Sequence, residues 1–163
     1  MSNSRRLGAL TLATSLILVV SACSDAGTGS TTPGSDATRS DFGSPAEPAD
    51  ATRTVEISAN DDFTFEPAAV SVAPGETVTF RVVNQGNLVH DFTLGDQATQ
   101  DEHEAEMAEM EEMAHDEPNV MIVPAGETME LTWTFPESGT VLIGCHQPGH
   151  YDAGMKGEIT IDG

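Results

Sequence analysis

From Arg53 onward, apolar and polar residues alternate with period two. Val55 and Ile57 alternate with Thr54, Glu56 and Ser58. Val78, Phe80 and Val82 alternate with Thr77, Thr79 and Arg81, and Met129, Leu131, Trp133 and Phe135 with Glu130, Thr132 and Thr134. Ile159 and Ile161 repeat the pattern near the end. Successive side chains of a strand point to opposite faces, so each run predicts a half-buried strand with one face toward a core. By this parity Trp133 is a core residue. Turn signals separate the runs: Pro74-Gly75, Asn84-Gln85-Gly86, Pro124-Ala125-Gly126 and Ser138-Gly139. Short strands at this spacing predict an all-β domain, an antiparallel sandwich, over residues 53–163. Gly75-Glu76-Thr77 and Gly126-Glu127-Thr128 each follow a Pro-containing turn and open a strand, which reads as two similar corners of one sandwich.

Three segments depart from the alternation. Residues 96–117 are rich in Glu, Ala, Met and His and lack Gly and Pro; they predict a surface helix of about four turns inserted between two strands. Residues 24–52 are mostly Ser, Thr, Asp, Ala, Gly and Pro, with one aromatic, Phe42. Such a segment buries too little apolar surface to offset its ordering entropy, so residues 23–52 predict a disordered tether. Residues 1–22 read as a signal peptide. Arg5 and Arg6 give a positive start, the apolar run Leu7 to Val20 is too short to span a bilayer, and small residues follow. Val20-Ser21-Ala22-Cys23 resembles the lipobox of bacterial lipoproteins, which implies cleavage before Cys23 and acylation of its thiol. The protein is then anchored to the outer face of the cytoplasmic membrane. An ordinary secretory signal with cleavage nearby, and a periplasmic product, fits the same features.

Composition narrows the partners. The 163 residues hold 6 Lys and Arg against 27 Asp and Glu, a net charge of −21. No basic face is available to meet phosphate, so a nucleic-acid partner is excluded. The acidity suits a cationic partner or simply a solvated surface. The chain has 2 cysteines, Cys23 and Cys145. With Cys23 acylated, Cys145 has no partner in the chain, and an unpaired thiol in an exported protein is open to oxidation. Metal ligation accounts for it, because a coordinated thiolate is occupied.

The segment from Gly144 to Met155 supplies the strongest chemical signal. It sets Cys145, His150 and Met155 at Cys-x4-His-x4-Met, with Pro148-Gly149 between the first two. Val141, Ile143 and Cys145 share parity, so the sulfur points inward at the rim of the sandwich. The loop can curl back and present His150 and Met155 to the same point. His90 ends another alternating segment, Asn87-Leu88-Val89-His90, and supplies a second imidazole. A thiolate, two imidazoles and a weak thioether suit copper in both oxidation states. Zinc sites more often use four Cys and His ligands without Met. His146 leaves the strand on the face opposite Cys145 and reads as a rim residue. Tyr151 reads as a surface residue or a neighbour of the ligands.

Phe65-Glu66-Pro67, the run from Val72 to Phe80, Val89-His90-Asp91-Phe92 and Cys145-x4-His150-x4-Met155 together resemble the cupredoxin family of type 1 blue copper proteins, to which plastocyanin, auracyanin and rusticyanin belong. The likeness covers roughly residues 53–163 apart from the insert. It implies a Greek-key β-sandwich and single-electron transfer. It also implies one type 1 copper with His90, Cys145 and His150 as equatorial ligands and Met155 as the axial one. Many relatives carry Asn after the first His, bracing the ligand loops; this chain has Asp91. A backbone N–H to the cysteine sulfur survives that change, while the side-chain bracing differs.

Two roles follow. The first is a monomeric electron carrier shuttling between membrane-associated redox partners. The second is copper handling, with storage or delivery to a cuproenzyme acceptor. An enzyme is disfavoured: a second copper bound entirely by histidines has no His cluster to hold it, and a binuclear site needs a second nearby cysteine. The insert bears on copper handling. On a helical wheel His103, Met107, Met110 and Met113 share one face. A stripe that packs the helix onto the sandwich, with the acids toward water, explains this. A second, weaker Cu(I) site of these thioethers with His103 or His115 explains it too, because thioethers are soft ligands.

Overall fold

The computed structural model describes residues 40–109 and 117–162. The strands are β1 (Ser44–Pro45), β2 (Arg53–Asn60), β3 (Thr64–Glu66), β4 (Ala69–Val72), β5 (Thr77–Asn84), β6 (His90–Gly95), β7 (Val120–Val123), β8 (Thr128–Thr134), β9 (Gly139–Gly144) and β10 (Lys156–Ile161). Helix α1 (Gln97–Glu109) lies between β6 and β7, and the single turn α2 (His150–Ala153) between β9 and β10. The strands form two five-stranded sheets, ordered β1-β8-β5-β2-β3 and β4-β10-β9-β6-β7.

Alternation produces the core as expected. Ile57, Val78, Phe80, Val82, Leu131 and Trp133 of the first sheet are buried, as are Phe92, Leu94, Val141, Ile143, Ile159 and Ile161 of the second. Phe92 joins the layers, with its ring 5.5 Å from Phe80 and 5.7 Å, edge-on, from Phe65. Each fully buried aromatic or large aliphatic side chain contributes about 1.5–3 kcal/mol. Met129 shares its parity with Leu131 but stands at the start of β8 and stays 39% exposed.

Two features depart from the sequence expectation. First, the sheets are mixed rather than antiparallel, because β2 pairs with β5 and β4 with β10 in parallel. Between β2 and β5 the chain visits the second sheet as β4 and returns, so it re-enters the first sheet in its original direction. Alternation reports burial and carries no strand direction. Second, order begins before residue 53. β1 pairs with β8, the Phe42 ring stacks on Trp133 at 5.7 Å, and the Trp133 indole N–H donates to Phe42 O at 3.0 Å. A buried indole N–H needs an acceptor, and the segment at 42 provides it. Gly43 has φ +123°, and a Cβ there would collide with Thr134 O and Trp133 Nε1. Helix α1 covers Gln97–Glu109 of the predicted insert, and residues 110–116 lie outside the described residues. Its N-terminus is capped by Asp96, whose Oδ1 accepts the Thr99 N–H and hydroxyl, both at 2.8 Å. Its inward residues are Gln100, His103 and Met107.

Candidate metal centre

β6 and β9 are hydrogen-bonded neighbours with Thr93 opposite Gly144. Antiparallel pairing therefore puts His90, which opens β6, and Cys145, which follows β9, at one end of the sandwich. Cys145 continues the inward parity of Val141 and Ile143 and is fully buried. The following loop turns at Gly149 and Gly154, both at positive φ (82° and 105°), where a side chain would be strained. Backbone bonds close it: His150 N–H to Gln147 O at 2.8 Å, Met155 N–H to His150 O at 3.0 Å, and Cys145 N–H to Met155 O at 3.1 Å. His150 and Met155 are thereby returned to the same end as Cys145.

His90 Nδ1 lies 3.8 Å and His150 Nδ1 3.4 Å from Cys145 Sγ. All three donor atoms fall within 4.8 Å of one another. Nitrogen and sulfur donors bound to one ion at roughly 2.0–2.3 Å, at trigonal angles, lie about 3.7 Å apart. The two observed separations bracket that value, so the donors fit a single metal ion. Met155 is fully buried beside them in the chain.

Burial pushes the His90 and His150 imidazoles below their ordinary pKa; His150 adds to this at His90, and Asp61 opposes it at both. Both rings therefore present neutral nitrogen lone pairs. Burial pushes the Cys145 thiol up, and Asp91 adds to the effect. A metal must displace that proton on binding.

Neighbouring groups fix the ligands. Asp91 N–H points at Cys145 Sγ at 3.4 Å, and Asp91 Oδ1 accepts the His146 N–H at 2.7 Å. The carboxylate thus ties the two ligand-bearing segments together, and burial raises its pKa to about 7. Asn84 Nδ2 donates to Leu88 O at 2.7 Å and Val123 O at 3.0 Å, which anchors the loop before His90. Asp61 accepts the backbone N–H groups of Asn87 and Leu88, and its Oδ1 lies 3.9 Å from His90 Nε2. The Phe63 ring sits 4.6 Å from that of His150. Sequence reasoning missed Asp61 and Phe63; both stand in the β2–β3 turn, and no spacing rule links them to the ligands.

His146 is placed differently from the sequence reading, and Tyr151 takes the place beside the ligands that was one of its two readings. His146 is 1% exposed, so it lies beneath α1 rather than on the rim. Its Nδ1 is 2.7 Å from Glu104 Oε2 and its Nε2 2.7 Å from Gln100 Oε1. Burial lowers its pKa, and Glu104 opposes that. Tyr151 is buried and stacks on His146 at 4.3 Å, with Lys156 Nζ 3.6 Å from its ring centre. Glu104, expected to face water, thus faces His146. Of the residues considered for a second copper site, His103 and Met107 are buried, while Met110, Met113 and His115 lie outside the described residues. Among the described residues, His90, Cys145 and His150 form the one group of three or more His, Cys, Asp or Glu donors close enough to share an ion.

A buried cluster of one thiol and two imidazoles at one end of a two-sheet β-sandwich defines a small copper-binding β protein. The profile of the copper binding proteins of the plastocyanin/azurin family matches residues 51–162, and the chain belongs to that family. The copper-resistant cuproprotein CopI of Pseudomonas aeruginosa is 38% identical over 149 residues, covering 74% of this chain and 82% of the relative. Auracyanin-B of Chloroflexus aurantiacus is 33% identical, covering 67% of this chain and 52% of the relative. The solved structure of auracyanin B superposes with a TM-score of 0.62 at 26% identity, covering 75% of this chain and 97% of that one.

Proposed function

We propose that this chain is an exported, non-enzymatic type 1 copper protein that passes single electrons. His90, Cys145 and His150 serve as equatorial ligands and Met155 as the axial one. Bound copper supplies the Cu(I)/Cu(II) couple. The residues supply a buried donor set acceptable to both oxidation states, held by backbone bonds and by Asp91 so that little needs to move between them. The observation that carries this reading is the pair of nitrogen–sulfur separations, 3.4 and 3.8 Å, in a buried site. Cys23 attaches the chain to the membrane by lipid, near membrane-associated redox partners.

A second reading, copper handling, is favoured by the CopI relatives, two of which are 38% identical to this chain. One experiment separates the two. Wild type loaded with Cu(II) is reduced and reoxidised repeatedly in the presence of an apo acceptor or a Cu(I) chelator. Electron transfer predicts that the thiolate-to-copper band returns in full at each cycle. Progressive loss of the band, with copper appearing on the acceptor, favours handling. Cys145→Ala should show no such band at all; a surviving band would remove Cys145 from the ligand set.

A further inference from the structure

Helix α1 meets the copper end with polar side chains. Gln100 is fully buried, and its Nε2 donates to Thr93 O of β6 at 3.1 Å and to Leu142 O of β9 at 3.3 Å. One side chain of the insert therefore bridges the two strands that lead to His90 and Cys145. Because its nitrogen is committed to two carbonyls, Gln100 Oε1 must be the acceptor of the 2.7 Å contact with His146 Nε2. The other ring nitrogen meets Glu104 Oε2 at 2.7 Å, a contact closed by one proton shared between Nδ1 and the Glu104 carboxyl group. Tyr151 of α2 covers one face of the ring, and His103 abuts it edge-on at 4.9 Å. The space is kept for this arrangement, since a Cβ on Gly144 would collide with Gln100 Oε1 and come within 2.7 Å of His146 Nε2.

We propose that Gln100 and Glu104 are positioning residues for the copper site, holding His146 and through it the segment that carries Cys145. The path has no gap. Glu104 and Gln100 fix the His146 ring, the His146 N–H donates to Asp91 Oδ1, and the Asp91 N–H points at Cys145 Sγ. Hydrogen bonding around a coordinated sulfur and the orientation of its segment tune the metal–thiolate bond. The described part of the insert, Gln97–Glu109, thus acts on copper through His146. The proposal rests on copper binding at His90, Cys145 and His150, and not on whether the copper carries electrons or is handed on.

The Glu104 side chain is one-third exposed, so truncating it leaves the fold standing. Glu104→Ala removes the bond to His146, whereas Glu104→Gln removes the charge and keeps a hydrogen-bonding partner. In the metal-free chain, the His146 amide should exchange about tenfold faster in Glu104→Ala than in wild type and near the wild-type rate in Glu104→Gln. In the Cu(II)-loaded chain, Glu104→Ala should shift both the thiolate-to-copper band and the reduction potential, and Glu104→Gln should restore them. Gln100→Ala should do the same as Glu104→Ala; should it fail to fold, the Glu104 pair still decides. Wild-type exchange, band and potential in Glu104→Ala overturn the proposal. So does a change in Glu104→Gln equal to that in Glu104→Ala, which would assign the effect to charge. A wild-type chain that takes up no copper overturns the copper site itself, and the exchange rates then report separately on whether His146 is held.

Discussion

At the scale of the residue, the site combines donors that differ in how they are held. Cys145 and His90 sit at strand ends whose register is fixed by β6–β9 pairing. His150 and Met155 depend on a loop with two glycines at positive φ. The sequence spacing of Cys145, His150 and Met155 made this loop legible, because a short closed loop leaves few ways to converge. Asp61, Phe63, Gln100 and Glu104 were not legible, because their relation to the ligands exists only after the sheets assemble. A thioether at Met155 donates weakly and helps Cu(II) more than Cu(I). Met155→Leu keeps the apolar volume, so the colour should persist while the reduction potential rises. At 59 mV per ~1.4 kcal/mol, a loss of about 1–2 kcal/mol gives roughly 40–85 mV. Voltammetry on the two proteins checks this, and an unchanged potential removes Met155 from the ligand set.

Among the elements, periodicity was a good guide to faces and a poor one to partners. The alternating runs did become strands with the expected inward residues apart from Met129, yet parallel pairing of β2 with β5 carried no signature in them. The polar composition of residues 40–52 hid β1, because a single aromatic, Phe42, does the packing. Phe42→Ala removes a half-buried ring stacked on Trp133, and urea denaturation should show a loss of about 1–2 kcal/mol. No loss would mean that the segment before β2 merely lies against the sandwich. The corner before β5 is tied differently. Glu76 accepts from Arg53 Nε at 2.8 Å, from the Thr52 hydroxyl at 3.0 Å and from Ala73 N–H at 2.8 Å. The Arg53 guanidinium, chiefly, holds its pKa at about 2. A depressed carboxyl contributes stability that is complete above its ordinary pKa of 4.5 and is lost as pH falls toward 2. The thermal midpoint of wild type should therefore exceed that of Glu76→Gln at neutral pH, with the gap closing between pH 4.5 and 2. A gap independent of pH in that window would show that the Arg53 pair contributes nothing to acid stability.

At the scale of the whole molecule, the two cysteines of the chain have incompatible claims on one another. Cys145 is free, buried and placed with two imidazoles. A disulfide from Cys145 to Cys23 would consume the metal thiolate, so the copper form of an exported chain needs Cys23 to be either engaged elsewhere or removed with the signal. Acylation does the first, and the lipobox-like Val20-Ser21-Ala22-Cys23 offers the processing signal. Cys23 lies outside the described residues. Acyl anchoring would also confine this strongly acidic protein to the membrane surface and limit its search for a redox partner to two dimensions. Cys23→Ser keeps the donor set intact and removes the acylation site. In membrane fractionation, wild type should pellet with the membranes, and Cys23→Ser should move to the soluble or unprocessed pool with its thiolate-to-copper band unchanged. Fully soluble wild type would rule out the anchor, and mass spectrometry of the purified chain should then show whether Cys23 has been cleaved off with the signal or is retained, free or paired with Cys145.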